Sequence, residues 1–430
     1  MTEYKLKKLS ELRLEVAKGK DVYVSLQQGT AEIFGAELSL GQRANLAGQA
    51  VAVFTWDGCT LTIEGEPDVA YVAEETPMAP YINAHHAINN LRNEARAGAA
   101  SAPAAGAESS PQGPRVVVAG PSDVGKSSLC RMLLNWGVRG GHQPTYVDLD
   151  VGQGTVTAPG CLAATPVEHP IDIEEGYPTQ VPLVFFFGHA SPADAPELYK
   201  YLTERLASVL ERRAESSPEV AAAGMVVNTL GWVEGLGYDL LLHAVAALKA
   251  DVVLVLEQDR LYNQLKSALA GARGAMGREL QVVKLAKSGG IVARTQQARK
   301  DARLARVREY FYGRGDELEP HAQTVAAEQL QMFRIGGGFR APSSALPLGA
   351  TSRADPLKVA PAPAGPELTH SLLAVSHAAA PDQIAASNVA GFVLLSNIDA
   401  ARGAATYLAP CGGPLPGRYL VAGSLKAFLD

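Results

Sequence analysis

The chain reads as an α/β protein: a central parallel sheet of the P-loop NTPase type, flanked by a small N-terminal β domain and a C-terminal, mostly β domain. Three observations predict this. Near-continuous apolar runs recur between Arg115 and about Tyr312 and alternate with helix-length segments, the pattern of strands buried on both faces. One of these runs, Val116–Ala119, leads directly into Gly120-Pro121-Ser122-Asp123-Val124-Gly125-Lys126-Ser127-Ser128. On either side of this region, short alternating or β-branched stretches are punctuated by Gly and Asp-Gly.

In chain order, Glu11–Val16, Val22–Gln27 and Ala50–Trp56 read as strands, with Cys59–Glu64 the expected hairpin partner of the third across Asp57-Gly58. Pro80–Arg96 has helical spacing, with Ile82, Ile88 and Leu91 on one face. Residues 98–113 belong to an Ala/Ser/Pro/Gly tract and read as a linker between an N-terminal domain, 1–97, and a P-loop domain, 114–316. The apolar runs of the second domain are Val116–Ala119, Tyr146–Leu149, Leu183–Phe187, Met225–Val227, Val252–Leu256 and Val282–Leu285. Residues 317–430 turn loop-rich, with short strands at Gly391–Leu395, Ala405–Leu408 and Tyr419–Ala422.

Composition limits the function classes. The 430 residues exceed one ordinary core, and 47% hydrophobic against 19% charged residues suits several globular domains. A net charge of −6 speaks against tight, sequence-independent nucleic-acid binding and leaves room for a local basic site. The four cysteines, Cys59, Cys130, Cys161 and Cys411, form no Cys-x-x-Cys pair, so neither a zinc site nor a disulfide framework is indicated. The N-terminus has no apolar signal core and no apolar run is of bilayer length, so a soluble, intracellular protein without a membrane partner is expected.

The chemistry starts at the glycine-rich loop. G-x-x-x-x-G-K-S after a buried strand and before a helix, Leu129–Arg139, is the context in which this motif cradles phosphates. Gly120 and Gly125 let the backbone turn the N–H groups of Asp123, Val124, Gly125 and their neighbours up to Ser128 inward, and the helix aims its positive end at the same anion. Lys126 is then placed for the β- and γ-phosphates of ATP, and Ser127 for Mg²⁺. In Pro144-Thr145-Tyr146-Val147-Asp148-Leu149-Asp150, alternation puts Asp148 and Asp150 on one face of a strand. Asp150, nearer the C-terminal end where ligands bind, is the candidate for Mg²⁺ through water or for the proton of a hydroxyl nucleophile; the alternative is that both cap the strand.

No Asn-Lys pair of the guanine signature occurs, and Lys287-Ser288-Gly289-Gly290-Ile291 lacks the Gln of the transporter signature. Lys287, Arg294 and Arg299, with the run to Arg308, read either as a solvated basic face or as a lid that neutralises a transferring phosphoryl group. Trp232, at the end of the strand Met225–Val227 in Asn228-Thr229-Leu230-Gly231-Trp232, reads either as packing or as a platform for a base. His85-His86 and Gly336-Gly337-Gly338 read as structural.

The segments GPSDVGKSSLCRMLLNW, PTYVDLDVGQG, NTLGW, LYNQL, KSGGIVAR and VREYFYG together resemble the Clp-one family of polynucleotide 5′-hydroxyl kinases. ELRLEV, AEIFGAEL and VAVFTWDGCTLTIEG resemble its β domain, and AGFVLLSNID its C-terminal domain. The resemblance implies transfer of the γ-phosphate of ATP to the 5′-hydroxyl of RNA, membership of the pre-mRNA cleavage and polyadenylation complex with its other subunits as partners, a possible part in tRNA splicing, and a nuclear location. By the same resemblance, Lys126, Asp150, Arg294 and Arg299 are catalytic, Ser127 and Asp150 serve Mg²⁺, Glu11 reaches the adenine, and Thr229, Gly231 and Trp232 form an RNA clasp. Where the family often carries a Lys before the Val-Ala-Val-Phe-Thr-Trp strand, this chain has Ala50. The alternative the family offers is an ATP-bound scaffold without turnover.

Overall fold

The computed structural model describes residues 1–101, 111–178, 182–336 and 355–429. It divides into two compact units: Met1–Val147, Thr165–Gln180 and Leu210–Arg294 in one, Asp148–Ala164, Val181–Val209 and Thr295–Asp430 in the other.

The first unit opens with a β-sandwich. A four-stranded sheet runs in the order Thr2–Leu6, Cys59–Glu64, Tyr23–Gly29, Arg43–Asn45, and a five-stranded sheet in the order Ala36–Glu37, Glu32–Ile33, Ala50–Thr55, Ser10–Glu15, Val69–Ala73. Leu12, Leu14, Val51 and Val53 of one sheet and Val24, Leu26, Leu61 and Ile63 of the other share a single core. The expected hairpin between Ala50–Thr55 and Cys59–Glu64 does not form, because the two strands lie in different sheets. A period of two marks a buried face equally well for two strands side by side and for two strands facing each other. What decides is the corner: Thr55 Oγ1 donates to Thr30 O at 2.7 Å and accepts from the Gly58 N–H at 2.9 Å.

The helix that follows, Met78–Ser101, is longer than Pro80–Arg96. The alanines after Arg96 continue it, as their propensity favours. Most of the expected 98–113 linker, residues 102–110, lies outside the described residues, as do Gly337 and Gly338. This helix buries Arg92 completely, and its Nε donates to Ala223 O at 3.0 Å.

The cradle sheet of the first unit has the strand order Thr145–Asp148, Met225–Asn228, Arg115–Ala119, Val252–Leu256, Gln281–Leu285. Arg115–Ala119 is parallel to both neighbours, with Val116 opposite Val226 and Val252. Val116, Val117, Val118 and Ala119 are wholly buried, which is why the sequence shows an unbroken apolar run there.

One strand departs from expectation. Leu183–Phe186 is antiparallel to Cys161–Pro166, with Leu162 opposite Phe185, and both paired stretches belong to the second unit. A parallel pairing needs a crossover of a dozen or more residues, usually helical, and no helix lies among the described residues between these strands. In the same unit, seven strands form the C-terminal sheet in the order His321–Ala326, Ala404–Ala409, Val389–Asp399, Ser371–Ser376, Tyr419–Lys426, Gln331–Ile335, Val359–Pro361. Leu373, Val375, Val393, Leu395 and Leu420 centre its core. Tyr310, on the helix Gln296–Tyr312, accepts the Phe392 N–H at 3.0 Å and ties that helix to the sheet.

Candidate functional site

The cradle begins where the buried strand Arg115–Ala119 stops and the helix Lys126–Arg139 starts. Gly125, at φ 91°, is the N-cap residue of that helix; a side chain there would be strained, and its Cβ would sit 2.9 Å from Ile291 Cδ1. Gly125 offers no side-chain cap and no acidic residue occupies the first turn. The N–H groups that open this helix therefore suit an anionic ligand. Lys126 is nearly buried, and its ammonium donates to Pro121 O at 2.7 Å. Val124 is buried, while Ser127 and Ser128 are half-buried on the first turn.

A second loop, residues 286–294, closes on the first. The Asp123 carboxylate accepts the Arg294 N–H at 3.0 Å, while the Arg294 side chain is exposed. Ile291 packs on Gly125 as described, and Lys287 pairs with Glu257 at 2.8 Å. Tyr81, from the helix Met78–Ser101, donates to Ala286 O at 2.7 Å. Arg13 lies across the turn itself: a Cβ on Gly290 would meet Arg13 Cδ at 2.8 Å.

Sequence reasoning missed Arg13. Glu11 is buried with both carboxylate oxygens engaged, Oε1 accepting Arg13 Nε at 2.6 Å and Oε2 accepting Thr76 Oγ1 at 2.9 Å. Arg13 also donates to Glu75 O at 2.8 Å. The only sequence signal is the Gly289-Gly290 pair, which admits a side chain from elsewhere.

On the neighbouring strand, Thr229 Oγ1 donates to Val118 O at 2.8 Å and fixes the segment after Met225–Asn228 to the strand that feeds the cradle. Gly231 presses on the phosphate loop so closely that a Cβ would lie 2.3 Å from Ser122 Oγ. Trp232 follows immediately and is 38% exposed. Its ring rests on the first turn of the helix Leu236–Ala247, where a Cβ on Gly237 would meet Trp232 Cγ at 2.5 Å.

Glu11, the phosphate loop, Thr229, Gly231, Trp232 and Arg294 all belong to the first unit; Asp150 and Arg299 belong to the second. The strand that carries Asp148 ends there, so Asp150 lies in the following turn rather than on a shared strand face. Asp148 is buried and accepts from Thr155 N and Oγ1, both at 2.8 Å. Asp150 is half-buried and accepts the N–H groups of Gly152 at 3.0 Å and Gln153 at 3.1 Å. Gln153 in turn donates to Arg299 O at 3.3 Å. Part of the basic run is committed locally: Arg306 pairs with Glu309 and Arg308 with Asp316, each at 3.0 Å.

Comparison with known proteins agrees in outline along the whole chain. Residues 5–95 match the family profile described as the N-terminal beta-sandwich domain of polyadenylation factor. Residues 120–313 match the mRNA cleavage and polyadenylation factor CLP1 P-loop, and residues 318–429 the pre-mRNA cleavage complex II protein Clp1. A protein named CLP1 homolog from Arabidopsis thaliana is 49% identical over 427 residues, covering 99% of this chain and 94% of its own. The polyribonucleotide 5′-hydroxyl-kinase Clp1 of Homo sapiens is 41% identical over 431 residues, covering 100% and 97%. A solved complex of Clp1p with a segment of Pcf11p has the same fold, with a TM-score of 0.81 at 23% identity, covering 100% of this chain and 98% of that one. A β-sandwich, a P-loop sheet with an open helix start and a C-terminal β domain, matched in that order to the three profiles and full-length to these relatives, make the chain a member of the Clp1 family.

Proposed function

We propose that this chain is an ATP-dependent polynucleotide kinase that phosphorylates the 5′-hydroxyl of RNA, within a nuclear assembly that cleaves and polyadenylates pre-mRNA. The observation that carries the reading is the uncapped start of the helix Lys126–Arg139, joined to full-length identity of 41% with relatives named for this activity. Three functional segments, 1–97, 114–316 and 317–430, with 98–113 between the first two, are in keeping with the profile ranges 5–95, 120–313 and 318–429.

Bound ATP would supply the γ-phosphoryl group, and Mg²⁺ would offset its charge. The loop's N–H groups hold phosphate oxygens, and Ser127 offers its hydroxyl to the metal. Among the described residues no cluster of three or more His, Cys, Asp or Glu side chains could hold a metal ion, so Mg²⁺ here would share its coordination with phosphate oxygens and water. Lys126 leaves Pro121 O to reach the phosphates. Asp150, by the sequence motif, takes the Mg²⁺-linked water or the proton of the 5′-hydroxyl, and Arg294 and Arg299 add positive charge for the transfer. Glu11 acts on the adenine side through Arg13, which its carboxylate holds on the Gly289-Gly290 turn. Thr229 and Gly231 set Trp232, whose exposed indole stacks on the 5′-terminal base.

Labelled ATP and a 5′-hydroxyl RNA oligonucleotide test this: labelled 5′-phosphate on the RNA is expected, and none at saturating ATP and Mg²⁺ would overturn it. A second reading, a nucleotide-bound scaffold, draws on the solved relatives described in complex with Pcf11p. It predicts that nucleotide binds and stabilises without turnover. Among the described residues no helix is long and apolar enough to cross a membrane.

A further inference from the structure

A cavity of about 360 Å³ begins one residue beyond Trp232. Val233, Glu234, Tyr238 and Asp239 line one side, from the turn before and the first turn of the helix Leu236–Ala247. Arg260 and Gln264, one turn apart on the helix Asp259–Ala268, line the other. All lie in the first unit. The volume is within the range of small-molecule sites, about 300–1,000 Å³.

Its position follows from contacts already described. Ser122 of the phosphate loop touches Gly231, Trp232 follows, its ring lies on the helix turn at Gly237, and the cavity wall starts at Val233. A strand whose first base lay on Trp232 would lead its second nucleotide into this space. The lining chemistry narrows what it takes. Two carboxylates and one guanidinium are among the lining groups, which disfavours a phosphate as the main ligand and favours neutral hydroxyl donors. Among the described residues no hydrogen bond or ion pair engages the side chains of Glu234, Asp239, Arg260 or Gln264. The 2′-hydroxyl is the donor that separates RNA from DNA, and an aromatic ring is the sequence-tolerant partner of a base.

We propose that this cavity is the subsite for the second nucleotide of the RNA, with Glu234 and Asp239 accepting from its ribose 2′-hydroxyl and Tyr238 lying against its base. The inference rests on the kinase reading for its ligand. Its test is binding: calorimetric titration with a nucleoside 3′-phosphate, a ribodinucleotide, and the same dinucleotide with a 2′-deoxy second sugar. The ribodinucleotide should bind about tenfold tighter than the nucleoside 3′-phosphate, the order expected of one stacked base. The deoxy form should lose much of that gain. The double variant Glu234→Gln/Asp239→Asn should bind both dinucleotides equally, Tyr238→Leu should lose the gain from the second nucleotide, and both should bind the nucleoside 3′-phosphate as the wild type does. Equal binding of all three ligands by the wild type, or variants that weaken all three alike, would overturn the proposal. Failure of the kinase reading looks different: no label would reach any ligand from ATP, whatever the titrations show.

Discussion

Lys126 sits with its ammonium on the loop's own carbonyl, Pro121 O, and under the proposed function turns from there toward the phosphates. Lys126→Ala should abolish phosphoryl transfer, since a point charge on the β- and γ-phosphates is lost. Asp150→Asn should also abolish transfer while leaving much of the nucleotide affinity; near-wild-type turnover of either variant at saturating ATP and Mg²⁺ would refute its role. Trp232 is 38% exposed with its ring on the turn at Gly237, so truncation should cost less stability than the roughly 3–5 kcal/mol of a core Trp. Trp232→Ala should instead weaken RNA engagement by about 1–3 kcal/mol with ATP affinity unchanged. A large fall in melting temperature with normal turnover of the folded fraction would make it packing. The phosphate loop was legible because its backbone path restricts which residues fit. Arg13 was not: in an alternating strand it resembles any solvated residue, and its partner turn lies far along the chain.

The loop 286–294 gathers restraints from three places: Tyr81 at its start, Arg13 over its glycine turn, and Asp123 on the Arg294 N–H. Gly290→Ala forces the Arg13 side chain to move, and Arg13→Ala removes the brace. Each should raise KM for ATP more than it lowers kcat. If Arg13 acts through the turn, the double variant should be no worse than the poorer single one, because contacting residues are not additive; full additivity in a double-mutant cycle would separate the two. At this scale the buried parallel strands were visible as apolar runs. Strand direction and sheet membership were not, as Leu183–Phe186 and the Ala50–Thr55/Cys59–Glu64 corner show: the local pattern records which face is buried, not which neighbour buries it.

For the molecule as a whole, acidity tests the core. Burial lowers His85 to about 4 and His142 to about 4, with Arg92 and Arg96 among the nearby charges that add to the effect. Both folded-state values lie below the ordinary 6.5, so the unfolded chain binds protons first. The stability they contribute is complete above pH 6.5 and is lost as pH falls toward 4, on the order of 3 kcal/mol for His85 and less for the more weakly enclosed His142. Glu211, held down to about 2 chiefly by its hydrogen bond from Arg115, keeps its contribution until below 4.5 and does not share the window. Urea midpoints should therefore fall between pH 7 and 5, and His85→Leu should flatten the slope. An unchanged slope would contradict the assignment. That three domains succeed one another was legible from composition and motif order; that the compact units cut across them was not, because the chain leaves and re-enters each unit.

That interleaving has a consequence for biosynthesis. The first unit is assembled from Met1–Val147, Thr165–Gln180 and Leu210–Arg294, so no single contiguous stretch encodes it alone. The strand Arg115–Ala119 lies between Met225–Asn228 and Val252–Leu256, and the edge strand Gln281–Leu285 is made last. At about 5–20 residues per second, the first-made central strand waits roughly 10–30 s on the ribosome for its sheet to be completed. Nascent chains stalled before residue 281 should therefore be cut by protease within Met1–Val147, and chains in which residues up to 294 have left the ribosome should protect that stretch, while Asp148–Ala164 and Val181–Val209 stay sensitive until Thr295–Asp430 is made.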